Sequence, residues 1–288
     1  MRPRHRVTLG ARQTAVRIAC TVAVVAAAWA IPTAAAELSA GAVVRAEFPE
    51  LPDTLCTMAG GQRGVPQMTI RLPRNYDKSR PFPAFVWLWG GHGGDGSGPG
   101  AGPDIAGDRD YVFVGMPLFK AAVDPAKPFK GLAIDPTADA AVIARAFGAM
   151  LRRLDATIPN VDRSRGVIGG VSNGAHTVAT ILELDDASLA DRFEHVVFVE
   201  GGFWLRRADR LAGRRLLLVH GDQGGPERAL INRDAARLLE KARANQADAT
   251  TLVMEGVGHD FPRRFMPSIK EWLDDAPRTV AVDRKRPR

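Results

Sequence analysis

The chain has 288 residues, 45% hydrophobic and 25% charged, with a formal net charge of +7. Five of its 39 basic residues and none of its 32 acidic ones lie in residues 1–36, so the remainder carries only +2 and gives no ground for a nucleic-acid partner. The two cysteines are Cys20 and Cys56; loss of Cys20 with a cleaved leader would exclude an intramolecular disulfide and leave stability to a hydrophobic core.

Arg2, Arg4, Arg6, Arg12 and Arg17 precede an apolar run from Ile18 to Ile31, and Ala34-Ala35-Ala36 supplies the small residues a signal peptidase prefers. Residues 1–36 therefore read as a secretory signal peptide, and the protein is expected to be exported, either periplasmic or extracellular. The run is short of the roughly 18 to 20 apolar residues a spanning helix needs, and no later stretch reaches that length, so no membrane span is expected after cleavage. Cys56 lies among proline, threonine and glycine and reads as a packed or surface thiol rather than a nucleophile.

From Gln67 onward the sequence alternates strand-like and helix-like segments. Apolar runs at Met68–Leu72, Pro83–Trp89, Tyr111–Met116, Gly166–Val171, Val196–Val199, Leu216–Val219 and Thr251–Met254 predict seven strands with intervening helices. That pattern implies the α/β class, a mostly parallel central sheet flanked by helices, in one domain over residues 37–275. Ile143, Phe147, Met150, Leu151 and Leu154 recur at helical spacing, as do Phe265, Ile269, Trp272 and Leu273, and both sets read as core faces. Residues 117–136, with Lys120, Lys127, Lys130 and four prolines, form the longest irregular stretch and are expected to wall or cover a pocket. Residues 276–288, ending in Arg284, Lys285, Arg286 and Arg288, read as a disordered basic tail.

Gly170-Val171-Ser172-Asn173-Gly174 stands between the β-branched run at Gly166–Gly169 and a helix-like run from Ala175 to Leu184. A serine on such a strand-to-helix turn is held exposed, and its neighbours must be small for strand and helix to approach. A serine hydroxyl is a weak nucleophile at neutral pH, so Ser172 needs a base and a group that orients the base. His259, in Gly256-Val257-Gly258-His259-Asp260-Phe261 directly after the last strand-like run, is the candidate base. His5 falls in the leader, His176 on the helix after Ser172, and His195 and His220 at strand ends, where structural roles are expected. No histidine pair has ligand-like spacing with a third partner, so no metal or other cofactor is expected.

The Gly-x-Ser-x-Gly segment, the Gly-His-Asp-Phe ending and the order of strands resemble the α/β-hydrolase family over about residues 67 to 275. Arg71-Leu72-Pro73-Arg74-Asn75-Tyr76-Asp77 and Asn160-Val161-Asp162-Arg163 resemble segments of its secreted esterases of the polyester-depolymerase and feruloyl-esterase type. The resemblance implies an exported serine hydrolase cleaving a small-molecule or polymeric carboxylic ester through an acyl-enzyme. It also implies an oxyanion hole from two backbone amides, that of Asn173 and that of Gly91 or His92 in the loop Gly90–Gly96. Phe203 and Trp204, after a strand end, could border an acyl pocket or simply pack, while Phe85, Trp87 and Trp89 read as mostly core. The oligomeric state is left open.

The triad acid is where the chain departs from the pattern. The family usually carries His-Gly, two residues and then aspartate after the strand equivalent to Leu216–Val219, and here that place holds Gly224. Asp222 is the first choice, Glu227 the second, and Glu200, after Val196–Val199, the third. Two alternatives stay open: a catalytically silent hydrolase-fold binding protein, suggested by Gly224, and a serine peptidase of the same fold.

Overall fold

Alternate residues along the strands enter two different apolar layers, as the period of two in an extended chain requires. In the computed structural model, residues 38–52, 55–57, 65–91, 93–120, 140–184 and 190–275 are described. The segments read above as leader (1–36) and tail (276–288), most of the 117–136 stretch with Lys127 and Lys130, and His92 lie outside the described residues.

Eight strands form the sheet: β1 (Val43–Glu47), β2 (Gln67–Arg71), β3 (Phe82–Leu88), β4 (Val112–Gly115), β5 (Val161–Val171), β6 (Phe193–Val199), β7 (Arg215–Gly221) and β8 (Asp248–Met254). Their spatial order is β1-β2-β4-β3-β5-β6-β7-β8. β2 runs antiparallel to both its neighbours and the remaining pairs are parallel. Cys56–Thr57 pairs with Phe119–Lys120 as a short antiparallel ribbon apart from this sheet.

The helices are α1 (Gly102–Ala106), α2 (Ala140–Thr157), α3 (Asn173–Leu184), α4 (Pro226–Ala244) and α5 (Met266–Asp274). Val86, Val114, Val196, Phe198, Leu216 and Leu218 point into the layer shared with α2, α3 and α4. Phe85, Trp87, Phe113, Val197, Leu217 and Val219 point into the opposite layer with α1 and α5. Burying a sheet on both faces is what makes its strands read as continuous apolar runs.

All seven expected strands are present within a single domain, and an eighth, β1, adds an edge. β5 is longer than expected, beginning at Val161 opposite Phe82 of β3. The two esterase-like segments meet at that point: the Tyr76 hydroxyl lies 2.6 Å from Asn160 Oδ1, and Asn160 Nδ2 donates to the carbonyls of Asp77 and Arg80. They pin the starts of β3 and β5 together, far from the serine at the other end of β5. Among the described residues no helix is long and apolar enough to cross a membrane.

Candidate active site

β5 ends at Val171 and α3 begins at Asn173, so Ser172 makes the whole turn, with φ at 52°. A left-handed conformation costs an L-residue about 1 to 2 kcal/mol, so the surroundings must hold it. The Ser172 amide donates to the Val199 carbonyl at 2.8 Å, and its carbonyl accepts from the His176 amide at 3.0 Å. A Cβ at Gly170 would sit 2.6 Å from the carbonyl carbon of Gly174, and one at Gly174 would run into the Leu88 carbonyl group. Glycine at both places lets strand, turn and helix pack this closely.

Ser172 Oγ lies 2.8 Å from His259 Nε2, and His259 Nδ1 lies 3.0 Å from Glu200 Oε2. The histidine side chain is 54% exposed, whereas the Glu200 side chain is fully buried. A carboxylate only accepts hydrogen bonds, so Nδ1 carries the hydrogen and Nε2 turns its lone pair to the serine hydroxyl. Burial alone would push the Glu200 pKa up. The hydrogen bonds it accepts from His259, the Gly221 amide and Arg228 outweigh that penalty and hold its carboxyl below the usual 4.5.

The acid at the imidazole is thus Glu200, and Asp222 does not reach it. Asp222 Oδ1 instead accepts the Gly256 amide at 2.8 Å, while the Gln223 amide donates to the Val257 carbonyl at 2.9 Å. These two bonds fasten the turn after β7 to the turn that carries His259. Asp222 therefore holds the histidine loop from its side. Glu227 is exposed in the first turn of α4. Glu200 also has a left-handed backbone, φ 54°, with its amide on the Val219 carbonyl at 2.8 Å, and this kink at the end of β6 turns the side chain under the histidine.

On the other side of Ser172, the Asn173 amide is the first of α3, among the N–H groups that have no acceptor within their own helix. The positive end of the helix favours negative charge at this point. Asn173 Nδ2 donates to the Gly91 carbonyl at 3.1 Å, which ties the glycine loop to the elbow. Gly91 has φ 57° in a turn closed by the Gly93 amide on the Gly90 carbonyl at 2.9 Å. The family resemblance pointed to these positions; the Asn173 side-chain tie has no signal in the sequence.

The remaining histidines are held by packing. His176 Nδ1 accepts the Gly202 amide at 2.9 Å and its ring stacks on Trp204 at 3.8 Å. Burial, and then the nearby His259, push its pKa down to about 4. His195 is buried edge-on to Trp272, and burial followed by the Arg215 charge likewise pushes it down to about 4. His220 is buried with its ring edge against Phe203. Phe85 and Trp87 are core and Phe203 is buried, but Trp89 and Trp204 are 41% and 46% exposed, after β3 and β6 respectively. No cluster of three or more His, Cys, Asp or Glu able to hold a metal occurs among the described residues.

One further residue at the site has no signal in the sequence. Arg228, on α4, is buried with its Nη1 2.9 Å from the Glu200 carboxylate. An arginine in a helix as polar as Pro226–Ala244 reads as a solvated charge, and only the folded chain brings it inward.

No protein-family model matches the chain, and no curated protein matches it. Solved structures do. An esterase of Rhizomucor miehei, 14% identical, superposes with a TM-score of 0.53 over 84% of this chain and 86% of that one. A CE1 ferulic acid esterase from Anaeromyces mucronatus, solved with ferulic acid, is 13% identical with a TM-score of 0.52 over 83% and 92%. A proposed dipeptidyl aminopeptidase IV from Bacteroides ovatus is 15% identical with a TM-score of 0.51 over 83% of this chain, which spans only 36% of that one. The strand order, the serine turn between β5 and α3, and these likenesses together show that the chain has the α/β-hydrolase fold.

Proposed function

We propose that the protein is an exported serine hydrolase that cleaves carboxylic esters through an acyl-enzyme. The observation that carries this reading is the unbroken relay from Ser172 through His259 to Glu200, at 2.8 and 3.0 Å, on a half-buried left-handed turn. Ser172 Oγ attacks the ester carbonyl carbon while His259 Nε2 takes its proton. The tetrahedral oxyanion is met by the amide of Asn173 and by an amide of the glycine loop at Gly91, where each donor is worth about 2.7 to 4 kcal/mol in such sites. His259 then protonates the leaving alcohol as the C–O bond breaks. In the second half it deprotonates a water that attacks acyl-Ser172 and releases the acid. Glu200 keeps the imidazole in one tautomer and steadies the imidazolium in both halves.

Esterases among the structural likenesses support ester hydrolysis at the level of the fold. Correspondence to 36% of the aminopeptidase-like chain carries no peptide specificity over. The silent alternative drew on Gly224 in the usual place of the acid, and a buried carboxylate 3.0 Å from His259 removes that motive. Export is proposed from the arginine-rich, apolar leader ending in Ala34-Ala35-Ala36.

Ser172→Ala tests the reading with short p-nitrophenyl esters. Turnover is expected to fall by about four orders of magnitude or more while the melting temperature stays near that of the parent. Undiminished turnover would reject the assignment.

A further inference from the structure

The departure at Gly224 and the relocated acid have a common neighbour. Arg228 lies in the first turn of α4, its amide on the Gly225 carbonyl at 2.9 Å, and its side chain is 7% exposed. Gly224 has φ 147°, and a Cβ there would approach Arg228 Cβ to 3.1 Å and Nε to 3.6 Å. A side chain at position 224 would therefore press on the arginine. The glycine standing where the family usually carries aspartate thus packs against this arginine.

That guanidinium acts on Glu200. Glu200 Oε1 accepts from the Gly221 amide at 2.5 Å and from Arg228 Nη1 at 2.9 Å, and the same Nη1 lies 2.9 Å from Oε2. The Gly221 amide thus holds Oε1, Arg228 Nη1 bridges both oxygens, and Oε2 is also the acceptor for His259 Nδ1. Without Arg228 the fully buried carboxylate would have only neutral partners, the imidazole and the Gly221 amide, and would tend to keep its proton, and a protonated acid no longer fixes the imidazole tautomer. We propose that Arg228 is a positioning residue for the hydrolytic reaction, bridging the two oxygens of the relocated Glu200 so that it meets His259 as a fixed carboxylate. This rests on the serine-hydrolase reading above.

The charged and titratable groups around the clamp come from every surrounding element. Arg228 and His259 touch the carboxylate, from α4 and from the loop after β8. His220 of β7 packs against Phe203, Asp222 is tied to the Gly256 amide, Glu227 is exposed in the first turn of α4, and His176 of α3 is sensitive to the charge on His259. Among the described residues, Arg228 is the permanent cation in direct contact with Glu200.

The test is steady-state hydrolysis of a p-nitrophenyl ester by the full chain, from pH 5 to 9. Arg228→Met is expected to lower kcat on the order of 10- to 100-fold with KM changed by less than about twofold. The acid limb of its kcat/KM profile should move to higher pH, since every proton in the cluster is harder to lose without the fixed positive charge. Arg228→Lys, which returns the charge without the planar fork, should recover part of kcat and move the limb back. Because Arg228 works through the charge on Glu200, adding Arg228→Met to Glu200→Gln should change kcat by less than about threefold beyond the single variant.

A parental kcat and acid limb in Arg228→Met would overturn the proposal, as would an equal loss at every pH that adds in full to that of Glu200→Gln. Should Arg228→Met not fold, the double variant decides by direct comparison with Glu200→Gln: kcat within about threefold is expected, and a further loss of about tenfold or more overturns it. Undiminished turnover by Ser172→Ala would instead sink the underlying reading, whatever Arg228 does.

Discussion

Glutamine in place of Glu200 keeps the shape of the side chain and removes its charge. Its carbonyl oxygen can take the place of Oε1, accepting from the Gly221 amide and Arg228, as Oε1 does now at 2.5 and 2.9 Å. The NH2 group then stands where Oε2 is now, 2.9 Å from Arg228 Nη1 and facing His259 Nδ1 at 3.0 Å. Two donors cannot share that contact, so the imidazole must present a lone pair at Nδ1 and carry its hydrogen on Nε2. In that tautomer it cannot accept the Ser172 proton. The analogous loss in a serine-histidine-acid site is about 10⁴ in kcat, or about 5.4 kcal/mol of transition-state stabilisation. Asp222→Asn should cost less than about tenfold, since the asparagine oxygen can still accept the Gly256 amide now held at 2.8 Å. The assay is kcat for p-nitrophenyl butyrate with both variants at pH 8, with melting curves to show that each is folded. A fall of several orders in Asp222→Asn, together with a loss under tenfold in Glu200→Gln, would refute the assignment of the acid.

Acid should weaken the fold over a defined range. His176 and His195 are held neutral with pKa values near 4 against an ordinary 6.5, so between these values the unfolded chain binds more protons and stability rises with pH. Their contribution is complete above 6.5 and shrinks as pH falls toward 4, by about 3 kcal/mol each. Glu200, with its pKa lowered, adds a further loss as pH drops from 4.5 through its folded value. Urea midpoints at pH 7 and pH 4.5 measure this, and His195→Leu, at a ring with no hydrogen-bond partner among the described residues, should narrow the gap; an unchanged gap would contradict it. Gly174→Ala drives a methyl group into the Leu88 backbone and should cost about 3 kcal/mol or more in urea unfolding as well as activity; parental stability would show that the elbow is looser than described.

The parts of this site that are local in sequence are legible there. Gly170 to Gly174 announces the elbow because the steric demand of one tight turn falls on residues two positions either side of the serine. The buried strands announce themselves as apolar runs. β1 does not, because Val43–Glu47 is an edge strand with only Ala46 buried. The acid is not legible, because Glu200 and Asp222 each follow a strand and the choice depends on how two loops from different strands run in space. Asp222 is drawn away by the Gly256 amide, and Glu200 is aimed by a left-handed kink. Arg228 is hidden for a related reason: its burial is set by the angle at which α4 leaves the turn at Gly224 and Gly225.

The central claim is that Ser172 is the atom acylated when His259 takes its proton. Mass spectrometry of the protein after treatment with a fluorophosphonate reads this directly. The account predicts one adduct, on the peptide containing Ser172, strongly reduced in His259→Ala. An unmodified Ser172 in a folded protein that still hydrolyses esters, or an adduct on another residue, would contradict it.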